Sequence, residues 1–118
     1  MSESMDHVAI ANQAKAIMMD HVSDPRTIPA LAKECGTSPT VLKQSFKEVF
    51  GVPIYSWYRN YRMTRAAEML AETDMTVFEV AYAVGYSNPS KFSHAFADCM
   101  GLNPRAWRQA HLESIREQ

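Results

Sequence analysis

The chain has 118 residues, 47% of them hydrophobic and 21% charged, which is the size and composition of one compact domain with enough apolar material for a real core. Twelve Lys and Arg against thirteen Asp and Glu leave a net charge of -1, so no global positive excess announces a nucleic-acid partner, and any such partner must be met by local charge. The longest apolar run is a few residues, far short of the roughly 18 to 20 that cross a bilayer; the opening residues are acidic and polar rather than those of a secretory signal, and two cysteines, Cys35 and Cys99, fit a reduced cytoplasm.

In chain order, helical periodicity predicts an all-α chain of seven helices, over about 5–22, 28–35, 39–50, 54–72, 77–84, 89–100 and 104–115. Ile28, Leu31, Ala32 and Cys35 fall at i, i+3, i+4 and i+7, and Val77, Val80, Ala81 and Val84 do the same. Starts are marked by Ser38-Pro39, by Thr76 with Glu79 three residues on, by Asn88-Pro89 and by Asn103-Pro104, each placing a capping side chain or first-turn proline ahead of an apolar stripe. The four glycines, Gly36, Gly51, Gly85 and Gly101, follow such stripes as C-terminal stops.

The segment from Ile28 to Trp57 reappears as Val77 to Trp107 with one residue added. Ala32, Gly36 and Ser38 match Ala81, Gly85 and Ser87 at an offset of 49; Pro39, Phe46, Gly51 and Trp57 match Pro89, Phe96, Gly101 and Trp107 at an offset of 50. Each copy is a short helix, a turn and a longer helix, the layout of a helix-turn-helix. The first occupies about 28–50 and the second about 77–100, joined by a linker helix over 54–72.

At about 100° per residue each longer helix divides into two faces. In the first, Leu42, Phe46, Val49 and Phe50 point one way and Thr40, Lys43, Gln44 and Lys47 the other; in the second, Phe92, Phe96, Cys99 and Met100 oppose Ser90, Ser93, His94 and Ala97, with Lys91 at the flank. Such polar side chains suit base edges and phosphates in a major groove. Residues 38–66 carry a local charge of +4 and residues 85–108 one of +2, whereas residues 1–24 and 67–84 are acidic, so positive charge gathers on the repeated units. Lys47, Arg59, Arg105 and Arg108 are the phosphate candidates, the three arginines because they flank the helix starts after Gly51 and Gly101. Arg62, set among Trp57, Tyr58, Tyr61 and Met63, reads equally as a partly buried arginine paired with an acid or as a phosphate contact.

The stretch Val77 to Phe96, with Gly101 and Pro104 to Arg108, resembles the signature of the AraC/XylS family of bacterial transcription regulators; residues 28–50 resemble its more variable first motif, and Trp57 to Met63 with Ala66 and Leu70 resemble its linker helix. The resemblance covers roughly residues 8 to 110. It implies a homeodomain-like domain of two helix-turn-helix subdomains, and base-reading positions at Thr40, Lys43 and Gln44 in the first motif and Ser90, Lys91 and His94 in the second. It also implies double-stranded DNA as partner, RNA polymerase as a further one, and a small-molecule effector acting through a sensing domain absent from this chain. The chain is then either a stand-alone short regulator or the DNA-binding part of a longer one, and the stretch from Ile10 to Cys35, which reads as the junction side of longer relatives, favours the second.

Other residues have plainer readings. His7, His21, His94 and His111 show no short metal-ligand spacing, so no metal and no cofactor is expected. Cys35 and Cys99 lie on apolar stripes and are expected as buried thiols; Met18, Met19, Met63, Met69 and Met100 are expected to fill cores; Trp57 and Trp107, six residues past their glycines, are expected to wedge between helices. No nucleophile, base and orienting group fall together, which argues against an enzyme. The rival from another class is an all-helical module that binds an acidic protein partner. The linker, close to 30 Å long at about 1.5 Å per residue, approaches the ~34 Å recurrence of grooves on one face of B-DNA, so a stiff helix could hold both motifs in register without dimerisation.

Overall fold

Capping side chains set where this chain turns helical. In the structure, a computed structural model that describes residues 3–117, seven α-helices and no strand are found among the described residues. They are α1 (Glu3–Asp20), α2 (Ile28–Glu34), α3 (Pro39–Phe50), α4 (Ile54–Glu72), α5 (Val77–Ala83), α6 (Pro89–Met100) and α7 (Pro104–Arg116). The predicted bounds of α3, α4 and α6 are met, and α1 lies two residues nearer the N-terminus than its periodicity suggested.

Ser38 Oγ accepts the Val41 N–H at 3.2 Å, Asn88 Oδ1 that of Lys91 at 3.1 Å and Asn103 Oδ1 that of Ala106 at 2.8 Å. Each is followed by a proline whose missing N–H costs nothing in a first turn. Thr76 and Glu79 close a reciprocal capping box at 3.0 and 2.9 Å. The hydrogen bond from the Thr76 backbone N–H holds the exposed Glu79 carboxyl below its ordinary range, so this cap is intact at neutral pH and fades as pH falls through that lowered value. Thr27, not among the predicted starts, caps α2 by accepting the Ala30 N–H. Gly51 and Gly101 end α3 and α6 at φ 79° and 84°, a left-handed conformation that burdens any residue with a Cβ.

The chain divides into two compact units between Tyr58 and Arg59. In the first, Ala11, Ala14 and Met18 of α1, Leu31 and Ala32 of α2, Leu42 and Phe46 of α3, and Ile54 and Tyr58 of α4 form one buried cluster, with α1 lying chiefly against α3. The Tyr58 hydroxyl accepts the Arg26 N–H at 3.2 Å and donates to the His21 carbonyl, which ties the loop after α1 to the start of α4. In the second, Met63, Ala66 and Leu70 of α4, Val80, Ala81 and Val84 around α5, and Phe92 and Phe96 of α6 are buried. Both tryptophans wedge as expected: Trp57 meets Phe46 edge-on at 5.8 Å and Trp107 meets Phe96 at 6.0 Å. Met18 and Met63 fill cores, whereas Met19, expected inside, is 44% exposed, because it follows Met18 by one residue and so points about 100° away from it. No described helix is long and apolar enough to cross a membrane.

Ser45, wholly buried on α3, has a hydroxyl with no hydrogen-bond partner among the described residues, and its counterpart on α6 is Ala95. Ser45→Ala is expected to stabilise the protein by about 1 kcal/mol, since it removes an unmet polar group and adds helix propensity. Leu42→Ala is expected to cost about 2 to 5 kcal/mol. Urea unfolding followed by circular dichroism checks both; a loss of stability in Ser45→Ala would show that the hydroxyl is satisfied after all.

Candidate nucleic-acid interface

A helix that buries one face has its opposite face assigned. In α3, Leu42, Ser45 and Phe46 are buried, which leaves Thr40, Lys43, Gln44 and Lys47 exposed along one line. None of these four side chains hydrogen-bonds or pairs with a charge among the described residues. The acid on the same helix, Glu48, is engaged elsewhere, accepting from or pairing with His7 Nδ1 at 2.7 Å. The exposed line of α3 therefore carries two lysines without a carboxylate against them.

In α6 the buried set is Phe92, Ala95 and Phe96. Ser90, Lys91 and His94 are exposed and Ser93 is half-buried, and none of their side chains has a partner among the described residues. The outward face is not flat: Pro89, Ser90, Ser93, His94 and Ala97 of α6 line an open groove of about 420 Å³ together with Asn103 at the start of α7. The seven base-reading candidates, Thr40, Lys43 and Gln44 on α3 and Ser90, Lys91, Ser93 and His94 on α6, thus stand on the two equivalent helices, and Ser90, Ser93 and His94 share the groove. Pro89 and Asn103 join it unforeseen. Asn103 is legible only as a cap, and nothing in its spacing from α6 says that the next helix starts beside the Ser93–Ala97 face.

The arginines are placed differently. Arg105 is exposed, with no partner among the described residues. Arg59 pairs with Asp98 at 2.7 Å and reaches the Ala95 carbonyl at 3.4 Å; burial works most strongly against its charge, but the Asp98 hydrogen bond together with the charges of Asp98, Cys99 and Tyr86 outweighs it and raises the pKa. Arg108 donates from Nε to the Leu70 carbonyl at 2.9 Å and from Nη2 to those of Thr73 and Met75 at 3.4 and 2.7 Å, meeting one acceptor that the end of α4 leaves open and two in the segment after it. Arg62 is half-buried, its Nε on the Val84 carbonyl at 2.9 Å and its guanidinium over the Tyr86 ring at 4.7 Å, while Tyr86 lies edge-on to Phe92 at 5.8 Å. It braces the turn that leads into α6. Part of the positive charge counted along the sequence is thus turned inward, and Lys43, Lys47, Lys91 and Arg105 are, of the cations in residues 38–66 and 85–108, the exposed ones with no partner among the described residues.

Cys35 and Cys99, expected inside, are only partly buried; burial still raises both thiol pKa values, which disfavours the thiolate. His111 stacks on Trp107 at 5.4 Å, and no described group of three or more His, Cys, Asp or Glu is arranged to hold a metal.

A family model described as a helix-turn-helix domain matches residues 31–110. The arabinose operon regulatory protein of Escherichia coli is 27% identical over 106 residues, 89% of this chain and 36% of that protein, and the transcriptional regulator GlxA of Rhizobium meliloti is 32% identical over 88 residues, 75% and 27%. The chain thus spans about a third of the length of these curated relatives. Among solved structures, the C-terminal domain of AraT, a response regulator from Geobacillus stearothermophilus, superposes with a TM-score of 0.82 at 31% identity over 86% of this chain and 84% of that one. The DNA-binding domain of AdpA, solved in complex with a target DNA, shares the fold with a TM-score of 0.83 at 24% identity, over 93% and 97%. With two thirds of its length matched by the family model and its repeated motifs in place, the chain belongs to the AraC/XylS family, as its DNA-binding domain of two helix-turn-helix motifs.

Proposed function

We propose that this domain acts as a sequence-specific transcription regulator's reader of double-stranded DNA, setting α3 and α6 into successive major grooves of one asymmetric site as a monomer. The observation that carries the reading is the repetition itself: two equivalent helices, each with a buried aromatic face and an outward polar face whose side chains have no partner among the described residues. A helix with its side chains is ~10–12 Å across and the major groove ~12 Å wide. Family membership supports the reading, and the same fold carries target DNA in AdpA.

Thr40, Lys43 and Gln44 on α3 and Ser90, Lys91, Ser93 and His94 on α6 are the base-reading groups, with Gln44 and His94 at equivalent positions. Lys47 and Arg105 are the phosphate contacts. Arg59 and Arg108 act as positioning residues, because their guanidinium groups are already committed to Asp98 and to the end of α4. RNA polymerase, and an effector sensed by a separate domain, are further partners in this reading, which places the protein with the cytoplasmic DNA and gives it no catalytic role.

Gln44→Ala and His94→Ala should each weaken specific binding by about 1 to 3 kcal/mol and leave binding to random duplex nearly unchanged. Lys47→Ala should weaken both and reduce the slope of log affinity against log salt by roughly 0.9. Fluorescence anisotropy on labelled duplexes across a salt series measures all of these; a flat salt response in the parent protein would falsify DNA reading and favour an acidic protein partner instead.

The two outer arginines separate by stability. Arg108→Gln should lower unfolding free energy by roughly 1.5 to 3 kcal/mol as carbonyls lose a charged donor, whereas Arg105→Ala should stay within about 0.5 kcal/mol of the parent and lose affinity for all duplexes. Thermal unfolding beside the binding assay distinguishes them; an Arg108→Gln protein as stable as the parent would return Arg108 to the phosphate contacts.

A further inference from the structure

The two recognition helices are copies in sequence position but not in chemistry. At the offset of 50, Thr40 corresponds to Ser90, Lys43 to Ser93, Gln44 to His94 and Lys47 to Ala97. Both lysines of the α3 line are thus replaced on α6 by small uncharged residues, and in their place lies the open groove of about 420 Å³. Ser93 and Ala97 are half-buried, below the exposed Ser90 and His94. The Asn103 side-chain oxygen is held by the Ala106 N–H at 2.8 Å, so Asn103 borders the groove as a fixed wall.

We infer that this groove receives the C5-methyl group of a thymine, and that Ala97 is the residue that selects it. The inference rests on the reading of α6 as a major-groove helix. Of the groups a base pair shows in that groove, all are hydrogen-bond donors or acceptors except the thymine methyl. The Ala97 methyl and the Ser93 Cβ offer apolar contact and no charge, while His94 and Ser90 at the rim supply polar atoms for a neighbouring base edge. On α3 the corresponding positions carry long cations, which reach acceptors and phosphates. The second motif therefore separates thymine from cytosine by shape, and the first reads by hydrogen bond and charge.

The test begins with a duplex selected from a random pool by the intact protein; the half-site read by α6 is the one whose base preference relaxes in His94→Ala. Within it each thymine is replaced singly by deoxyuridine, which removes the methyl and leaves every hydrogen-bonding group. One position is expected to lose affinity about fourfold, the equivalent of one buried methyl at ~0.8 kcal/mol. In Ala97→Lys, which restores the side chain that the first motif carries there, the preference for thymine over uracil at that position should fall to about one. Selective binding with no position sensitive to uracil overturns the methyl contact while leaving DNA reading intact, and a preference that survives Ala97→Lys overturns the assignment to Ala97. Failure to select any sequence at all overturns both readings together.

Discussion

Each recognition helix is oriented by a phenylalanine that has nowhere else to go. Phe46 and Phe96 are wholly buried, each met edge-on by a tryptophan from the following helix. Edge-to-face rings add of order 1 kcal/mol beyond their burial, but direction matters more here than depth. With Phe46 pinned inward, the residues at about 100° steps around α3 have their directions assigned, and Thr40, Lys43, Gln44 and Lys47 face solvent; pinning Phe96 turns Ser90 and His94 to solvent and leaves Ser93 and Ala97 half-buried on the same side. The glycine stops and the asparagine and serine caps act along the helix axis as the aromatic contacts act around it, fixing where each recognition helix begins and ends.

Charge is divided by side-chain type. Three of the arginines around the second motif are consumed in building it, Arg59 on Asp98, Arg62 on Val84 and Tyr86, and Arg108 on the carbonyls of Leu70 and Met75, while Arg105 stays exposed. A guanidinium has five donors in a fixed fork and suits that work, since it satisfies several open carbonyls at once. Lys43, Lys47 and Lys91 stay exposed, where a single mobile charge suits a base acceptor or a phosphate. A chain of net charge -1 can in this way show unpaired lysines on each recognition helix while some of its acids are paired, as Glu48 is with His7 and Glu68 is with Arg65 at 2.7 Å.

The fold was legible because its signals are local. Ser38-Pro39, Asn88-Pro89, Asn103-Pro104 and the Thr76–Glu79 box act within four residues of where they stand, and the repeat doubles every one of them that matters for α3 and α6. The outward candidates were legible for the same reason, since one period of 3.6 residues assigns both faces. What a period cannot show is the partner of a long side chain. Arg108 and Arg105 are three residues apart in a basic cluster, yet one reaches carbonyls 33 to 38 residues earlier in the chain and the other reaches nothing among the described residues. The groove beside Ala97 was hidden likewise, because it depends on how α7 leaves Gly101. Phe78 and Tyr82 face solvent although their residue types suggest otherwise; Val80, Ala81 and Val84 take the buried face of α5, and one short helix has only one.

Helix α4 is shared by the two motifs. Ile54 and Tyr58 at its start belong to the first core, and Met63, Ala66 and Leu70 are buried in the second unit, so one unbroken helix of 19 residues carries both motifs. An alanine placed between Tyr58 and Arg59 respects the contacts within each unit, whereas one placed among Met63 to Leu70 would shear the second core. At that junction it advances everything beyond it by about 1.5 Å and turns it by about 100°. With helix content and unfolding midpoint matched to the parent, binding of the insertion protein to the full site should fall to the affinity of the better single half-site, while binding to each isolated half-site is unchanged. Parental affinity for the full site would contradict the account and leave one motif as the sole reader.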